Sequence, residues 1–261
     1  MLSQLPEKIA LSTSSTSRLA ERRRHLIKSG GKQLLRKLGE FQARHSLVST
    51  TPFLSRSDFP GAESLEGSVM QIRSELQAVM QKPEDIPAFH QLSEDQARIS
   101  KGDNWKVFTF YVFGKRVEEN CLLCPNTAAA LAQIEHLQNA FFSILAPGYH
   151  IPPHKGPTRA IIRVHLPLFV PADRERCWIR VHDEYAFWKD GECMVFDDSY
   201  EHEVHNETDE VRVVLFLDFD RPMDRFGTAV NNLIVKALRA SSYVSRPLDN
   251  LAKWNTQRRN S

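Results

Sequence analysis

Residues 151–168 read IPPHKGPTRAIIRVHLPL, and this stretch decides the fold. His154 stands in a Pro/Gly-flanked turn. The strand that follows has Ile161, Arg163 and His165 pointing one way and apolar residues the other. A second stretch, 195–219, reads VFDDSYEHEVHNETDEVRVVLFLDF. There His202 follows a short apolar strand, and Arg212 opens another run of period-two character. Around these lie further short strands at Phe141–Leu145, Cys177–Val181 and Glu192–Phe196. The turns between strands fall at Pro171-Ala172-Asp173, Lys189-Asp190-Gly191 and Asn206-Glu207-Thr208. Short strands at this spacing with no helices between them predict a mainly β, double-sheet jelly roll.

Two imidazoles on neighbouring strands of such a barrel suit a divalent metal with positions left open. His154 and His202 are the expected ligands. A lone histidine is more often a solvated or satisfied core residue, and the chain has ten; the pair stands out because each lies beside a strand. Arg212 offers the planar fork that grips a carboxylate. A third ligand from a His-x-Asp pattern is absent, since the row reads His154-Lys155-Gly156. Asp197, Asp198, Glu201 and Glu203 could replace it. Asp197-Asp198-Ser199 reads better as a turn bonded to its own backbone, so water is expected there. His205 should face away from His202 toward solvent, and Trp178, Phe187 and Trp188 read as core or rim packing.

PHKGPT, RVHLPL, FDDSYEHEV and the following Arg, together with NWKVFTFYVFG and ENCLLCPNT upstream, resemble the aspartyl/asparaginyl β-hydroxylase family of iron(II)/2-oxoglutarate oxygenases. The resemblance runs from about Trp105 to Pro222. It implies a double-stranded β-helix core and a hydroxylase using iron(II), 2-oxoglutarate and O2. It places His154 and His202 on the metal, with Gly156 where a third ligand would stand. Arg212 and Ser143 would hold the distal carboxylate of 2-oxoglutarate, Arg163 and His165 would contact the co-substrate, and Tyr111 would line its pocket. Members that hydroxylate Asp/Asn side chains carry Arg and Gln where this chain has Ile161 and Phe113, beside Val112. Apolar residues there would leave a substrate carboxylate unpaired. The expected substrate is therefore an acyl chain or small metabolite ahead of an Asp/Asn side chain. The ending FDRPMDRF…AVNNLI resembles the bacterial branch that acts on lipid A acyl chains. A rival reading is a non-catalytic jelly-roll module binding metal or keto acid; the joint presence of His154, His202 and Arg212 argues against it.

Composition narrows the partners. Net charge is +2 over 261 residues, but the two ends are basic and 51–220 carries a net of −11 by count of its Lys/Arg and Asp/Glu. No basic stripe with interleaved aromatics marks a nucleic-acid surface. Four cysteines, with Cys121 and Cys124 as a lone CxxC, suit ordinary thiols in a reducing compartment. No run is long and apolar enough to span a bilayer, and no signal peptide is seen, which predicts a cytoplasmic protein. Residues 1–55 are expected as a basic, partly disordered and partly helical extension, 56–222 as the dioxygenase domain, and 223–261 as a basic helical extension. The segment 18–44 mixes apolar residues with RRRH, KSGGK and RK clusters. It reads either as a solvated extension or as a peripheral anchor for an anionic membrane.

Overall fold

The computed structural model describes residues 33–260, apart from 35, 94, 95, 240 and 241. Among the described residues, ten strands form two antiparallel sheets. The larger has the order β2-β1-β3-β10-β5-β8, built from β1 (Trp105–Val112), β2 (Lys115–Arg116), β3 (Leu137–Leu145), β5 (Ile161–Phe169), β8 (Met194–Phe196) and β10 (Arg212–Asp220). The smaller has the order β4-β9-β6-β7, from β4 (His150–His154), β6 (Cys177–Val181), β7 (Glu184–Phe187) and β9 (His202–Asn206). This is the jelly roll that the strand spacing predicts.

Alternation along the strands sorts residues into two cores. On β5, Ile162, Val164, Leu166 and Leu168 face the helical layer, which leaves Arg163 and His165 for the space between the sheets. On β10, Val213, Leu215, Leu217 and Phe219 join the helices, whereas Val214 and Phe216 face inward among Trp105, Phe141, Trp188 and Phe196. β10 is buried on both faces, which is why it reads as an almost continuous apolar run.

Of four register shifts among the described strands, two bear on the site. On β1 the register slips between Thr109 and Tyr111. On β4 it slips between Ile151 and His154, so that His150 pairs with His205, Ile151 with Val204 and His154 with His202. The extra residue falls at Pro152-Pro153. Proline cannot donate to a ladder and is tolerated on an edge strand or a bulge; β4 is the edge of its sheet.

The helical layer comprises α1 (Ala62–Gly67), α2 (Val69–Met80), α3 (Phe89–Leu92), α4 (Glu118–Leu123) and α5 (Pro125–Ala132). Apolar residues stand at helical spacing across 62–80, but the helix breaks at Ser68, whose hydroxyl donates back to the Ser64 carbonyl at 2.9 Å. The stripe Leu65, Val69, Ile72 and Leu76 is buried across the break. α5 stops at Ala132, and Leu137 opens β3. Two C-terminal helices follow, α6 (Arg225–Arg239) and α7 (Ser242–Asn260). α7 folds back on the body: Trp254 Nε1 donates to the Asp85 carbonyl at 3.0 Å, and Leu251 is buried in the inter-sheet core. All four cysteines are free and buried. Among the described residues no helix is long and apolar enough to cross a membrane.

Candidate metal centre and anion pocket

The bulge in β4 positions the first histidine. Without the extra residue at Pro152-Pro153, His154 would share the outer face with His150. With it, His154 turns inward opposite His202, and the two rings lie 4.1 Å apart by centroid. Each ring is held by a local carbonyl: His154 Nδ1 lies 2.9 Å from Pro152 O, and His202 Nδ1 lies 2.9 Å from Tyr200 O. A carbonyl can only accept, so both Nδ1 atoms carry the proton and both Nε2 atoms present a lone pair. Burial lowers the pKa of His154 to about 4 and that of His202 to about 2, keeping both neutral. Two neutral, oriented imidazoles form a donor pair ready for a metal.

Arg163 connects this pair to a carboxylate cluster. Its Nε donates to Asp218 Oδ1 at 2.9 Å, its Nη2 lies 2.9 Å from Asp198 Oδ2, and its Nη1 lies 3.4 Å from His202 Nε2. Its guanidinium also covers the Phe216 ring, 4.3 Å from the centroid. Asp198 is almost fully buried, with Oδ1 unpartnered among the described residues. Burial raises its carboxyl to about 7 against the pull of Arg163. A Cβ added to Gly156 would fall well inside van der Waals contact with all three carboxylate atoms of Asp198. The position after His154-Lys155 is therefore glycine because Asp198 fills the space a side chain would need. A carboxylate does stand near the histidines, but it comes from the turn after β8 and is tied to Arg163.

Deeper between the sheets lies an anion pocket. Arg212 is 1% exposed, and its Nε and Nη1 have no partner among the described residues. Its guanidinium stacks over Trp188, 4.7 Å from the ring centroid. Burial pulls its pKa down to about 10. A buried guanidinium left half-satisfied is costly, and an incoming carboxylate would remove that cost. Ser143, one step inward on β3, accepts from Trp105 Nε1 at 3.0 Å and keeps its hydroxyl proton for another acceptor. His165 sits between the two ends, its ring 5.4 Å from Phe216 and 5.0 Å from Phe196. Trp188 Nε1 donates to its Nδ1 at 3.3 Å, so the His165 proton is on Nε2. Burial, with Arg212 nearby, holds its pKa far below the usual histidine range.

The structure thus brings His154, His202, Arg163, His165, Arg212 and Ser143 to one inter-sheet space. It sets Tyr111 apart. The β1 bulge places Tyr111 opposite Ala140, and it packs on the helix-side core; the expectation that it lines the co-substrate pocket is corrected by that one-residue slip. Trp188, read from sequence as packing, is fully buried beneath Arg212 and His165. Its spacing after β7 gave no sign of that role.

The donor set suits a metal and a dicarboxylate, and comparison with known proteins identifies the family. Residues 66–222 match the family model described as Aspartyl/Asparaginyl beta-hydroxylase. The chain is 36% identical over 211 residues to an ornithine lipid ester-linked acyl 2-hydroxylase of Rhizobium tropici, covering 81% of this chain and 75% of that protein. It is also 36% identical over 165 residues to the human aspartyl/asparaginyl beta-hydroxylase, covering 61% of this chain but only 21% of that longer protein. A Pseudomonas putida prolyl-4-hydroxylase structure aligns at a TM-score of 0.37 with 15% identity, over 72% of this chain and 98% of that one; the fold assignment rests on the two sheets instead. With the family model matched over more than half its length and the motifs gathered in one inter-sheet space, the chain belongs to the aspartyl/asparaginyl β-hydroxylase family and is a hydroxylase of the dioxygenase type.

Proposed function

We propose that this chain is an iron(II)/2-oxoglutarate-dependent hydroxylase acting on the acyl chain of a lipid. The observation that carries the co-substrate part is the half-satisfied, buried Arg212 on the same inner surface as the neutral His154/His202 pair. His154 Nε2 and His202 Nε2 would hold the metal, and Arg212 with Ser143 would hold the distal carboxylate of the keto acid. Iron(II) and 2-oxoglutarate together supply oxygen activation, coupling loss of CO2 from the keto acid to insertion of one oxygen atom into a C–H bond. The chain's own part is orientation and dryness. Carbonyls fix the histidine tautomers, Arg163 anchors Asp198 beside the pair, and His165 has an Nε2 proton to donate while Trp188 holds its other nitrogen.

Two features support an acyl substrate. The Rhizobium relative is named for an acyl 2-hydroxylation. In addition, Phe113 and Val112 pack at the inter-sheet core, and Phe113 N donates to Asn139 Oδ1, which is linked through Asn139 Nδ2 to Asp218 and so to Arg163. An apolar wall at that point suits methylenes and leaves a peptide carboxylate unpaired.

A lipid substrate requires access to a bilayer, and we infer a peripheral contact. The helix over 36–44 meets α6 where Phe41 and Phe226 pack edge to face at 5.7 Å. Leu34, Phe226 and Leu233 are exposed, as are Arg36, Lys37 and Arg225, which neighbour Leu34 and Phe226 in sequence. Gln42 accepts from Thr158 Oγ1 and Arg159 N, both at 3.0 Å, in the loop after His154, so this surface adjoins the site. The remainder of the basic segment, 1–32, lies outside the described residues. Succinate formation from 2-oxoglutarate and iron(II) tests the reading, with acyl-lipid vesicles set against Asp/Asn peptides. Coupled turnover with the lipid is expected; coupling to the peptide alone would move this chain to side-chain hydroxylation.

A further inference from the structure

The same two strands that bring His154 and His202 together on the inside carry a second histidine pair on the outside. His150 is opposite His205, and their rings stack at 3.7 Å. Trp178, opposite His205 on β6, stacks on its other side at 3.9 Å and 11°. Glu203, two residues before His205 on the same face, places Oε2 3.1 Å from His150 Nε2 and 3.2 Å from His205 Nε2. One ligand atom from each of the three residues lies within 4.8 Å of the other two.

We propose that His150 Nε2, His205 Nε2 and Glu203 Oε2 form a second divalent-metal site, of the zinc class, distinct from the inner pair. Bonds of about 2.0–2.2 Å to a tetrahedral ion put neighbouring ligand atoms roughly 3.3–3.6 Å apart. The two nitrogen–oxygen separations already stand close to that edge length. The surrounding groups are arranged as a ligand set requires. Arg180 Nε grips the other carboxylate oxygen, Glu203 Oε1, at 2.6 Å, which leaves Oε2 to bind. Glu207 Oε1 lies 3.4 Å from His205 Nδ1, an acceptor for the ring proton when Nε2 is given to the metal. Trp178 fixes the plane of that ring. Two imidazoles and one carboxylate favour zinc, nickel or copper over calcium or magnesium, and three protein ligands leave a fourth position for water.

The position gives the ion a consequence. β4 is an edge strand with one neighbour, and it carries both His150 and His154. A metal joining His150 to His205 and Glu203 would cross-link that strand to β9, close to the inner pair. It would hold the bulge that turns His154 inward. The proposal does not rest on the catalytic reading.

Metal counting on the full chain decides it, with zinc(II) as the probe after removal of resident metal by chelation and dialysis. The wild-type chain should bind two equivalents by equilibrium dialysis with elemental analysis. The His154→Ala/His202→Ala variant should keep one, and adding Glu203→Gln should remove it. His205→Phe, which preserves the stack on Trp178, should bind only the inner equivalent and lose part of the zinc-induced rise in Tm, while its Tm without metal stays near wild type. Cobalt(II) in the inner-site variant should give the strong visible absorption of a tetrahedral ion. Zero equivalents in a folded His154→Ala/His202→Ala variant, or the wild-type count in His205→Phe, would overturn the outer site. If the wild-type chain binds only one equivalent and the inner-site variant keeps it, the inner pair has failed instead.

Discussion

The β4–β9 ladder presents two histidine pairs to two different solvents. The inner pair, half-buried His154 and buried His202, is held by backbone carbonyls at Nδ1 and faces a guanidinium rather than a carboxylate. The outer pair, His150 and His205, is more open, stacked against Trp178, and shares the carboxylate of Glu203. One residue of bulge separates these environments. The contrast shows that metal-ligand potential in this fold is set by face and second partner, since residue type and strand are the same in both pairs. On the inside, neutrality comes from burial, and on the proposed reading a bound keto acid would bring the negative charge. On the outside, the charge is built into the protein.

The largest test of the contrast is loss of the inner ligands. His154→Ala and His202→Ala should each abolish 2-oxoglutarate turnover and iron binding, measured by succinate release and iron counting. His205→Phe should leave turnover readily measurable. Full iron occupancy in His154→Ala would reverse the assignment of the two faces.

Next comes the anion pocket. Truncating Arg212 removes a buried charge-assisted contact worth roughly 2–5 kcal/mol, or about 30- to 5,000-fold in 2-oxoglutarate affinity. Arg212→Lys keeps the charge without the fork and should fall between wild type and Arg212→Ala. Equilibrium binding of 2-oxoglutarate checks both. A wild-type KM in Arg212→Ala would remove Arg212 from the co-substrate site.

A smaller effect tests why the facial carboxylate is missing. Any side chain at Gly156 meets the carboxylate of Asp198, which Arg163 holds in place. Gly156→Ala should therefore cost about 1–3 kcal/mol by overpacking and weaken iron binding. Gly156→Asp should be worse than Gly156→Ala, because it adds a second buried carboxylate beside the first. Denaturant unfolding of the metal-free variants reads the difference. Tighter iron binding in Gly156→Asp would mean that Asp198 yields and a conventional triad forms.

These tests also mark what could be read from residues alone. The alternation through Ile161, Arg163 and His165 and the period-two run opened by Arg212 mark the strands that carry these residues, and the structure has them as β5 and β10. Six of the seven proposed site residues meet in one space. What was illegible is the bulges. A slip of one residue leaves no trace in hydrophobic periodicity when the neighbours are apolar on both faces, as at Phe108–Val112, and it sent Tyr111 to the wrong side. Pro152-Pro153 was visible, yet read as a turn; as a bulge in an edge strand it turns His154 inward. The role of Trp188 and the occupation of Gly156's space by Asp198 are tertiary facts, made by residues far apart in the chain.

The smallest predicted effect is a dependence of metal-free stability on pH, and its sign follows from the inner pair. Burial depresses His154 to about 4 and His202 to about 2, while an unfolded chain has histidines near ~6.5. Above that value both histidines are neutral in either state, and folding loses nothing. As pH falls below it, the unfolded chain takes up protons that the folded chain refuses, so stability declines toward pH 4, where His154 begins to protonate in place. Asp198 acts with the opposite sign. Its carboxyl is raised to about 7, so the folded state gains a proton first, and stability rises as pH falls from 7 toward the ordinary carboxylate range. His154 and His202, with His165 also held far below the usual histidine range, outweigh the one carboxyl and give a net loss between pH 6.5 and 4, at most about 1.4 kcal/mol per pH unit per group. Urea midpoints of the chelated protein from pH 7.5 to 4.5 measure it. Asp198→Asn should steepen the decline and His154→Asn/His202→Asn should flatten it. An unchanged slope in the double histidine variant would show that the inner pair is not held neutral, and the contrast between the two faces of the ladder would lose its electrostatic basis.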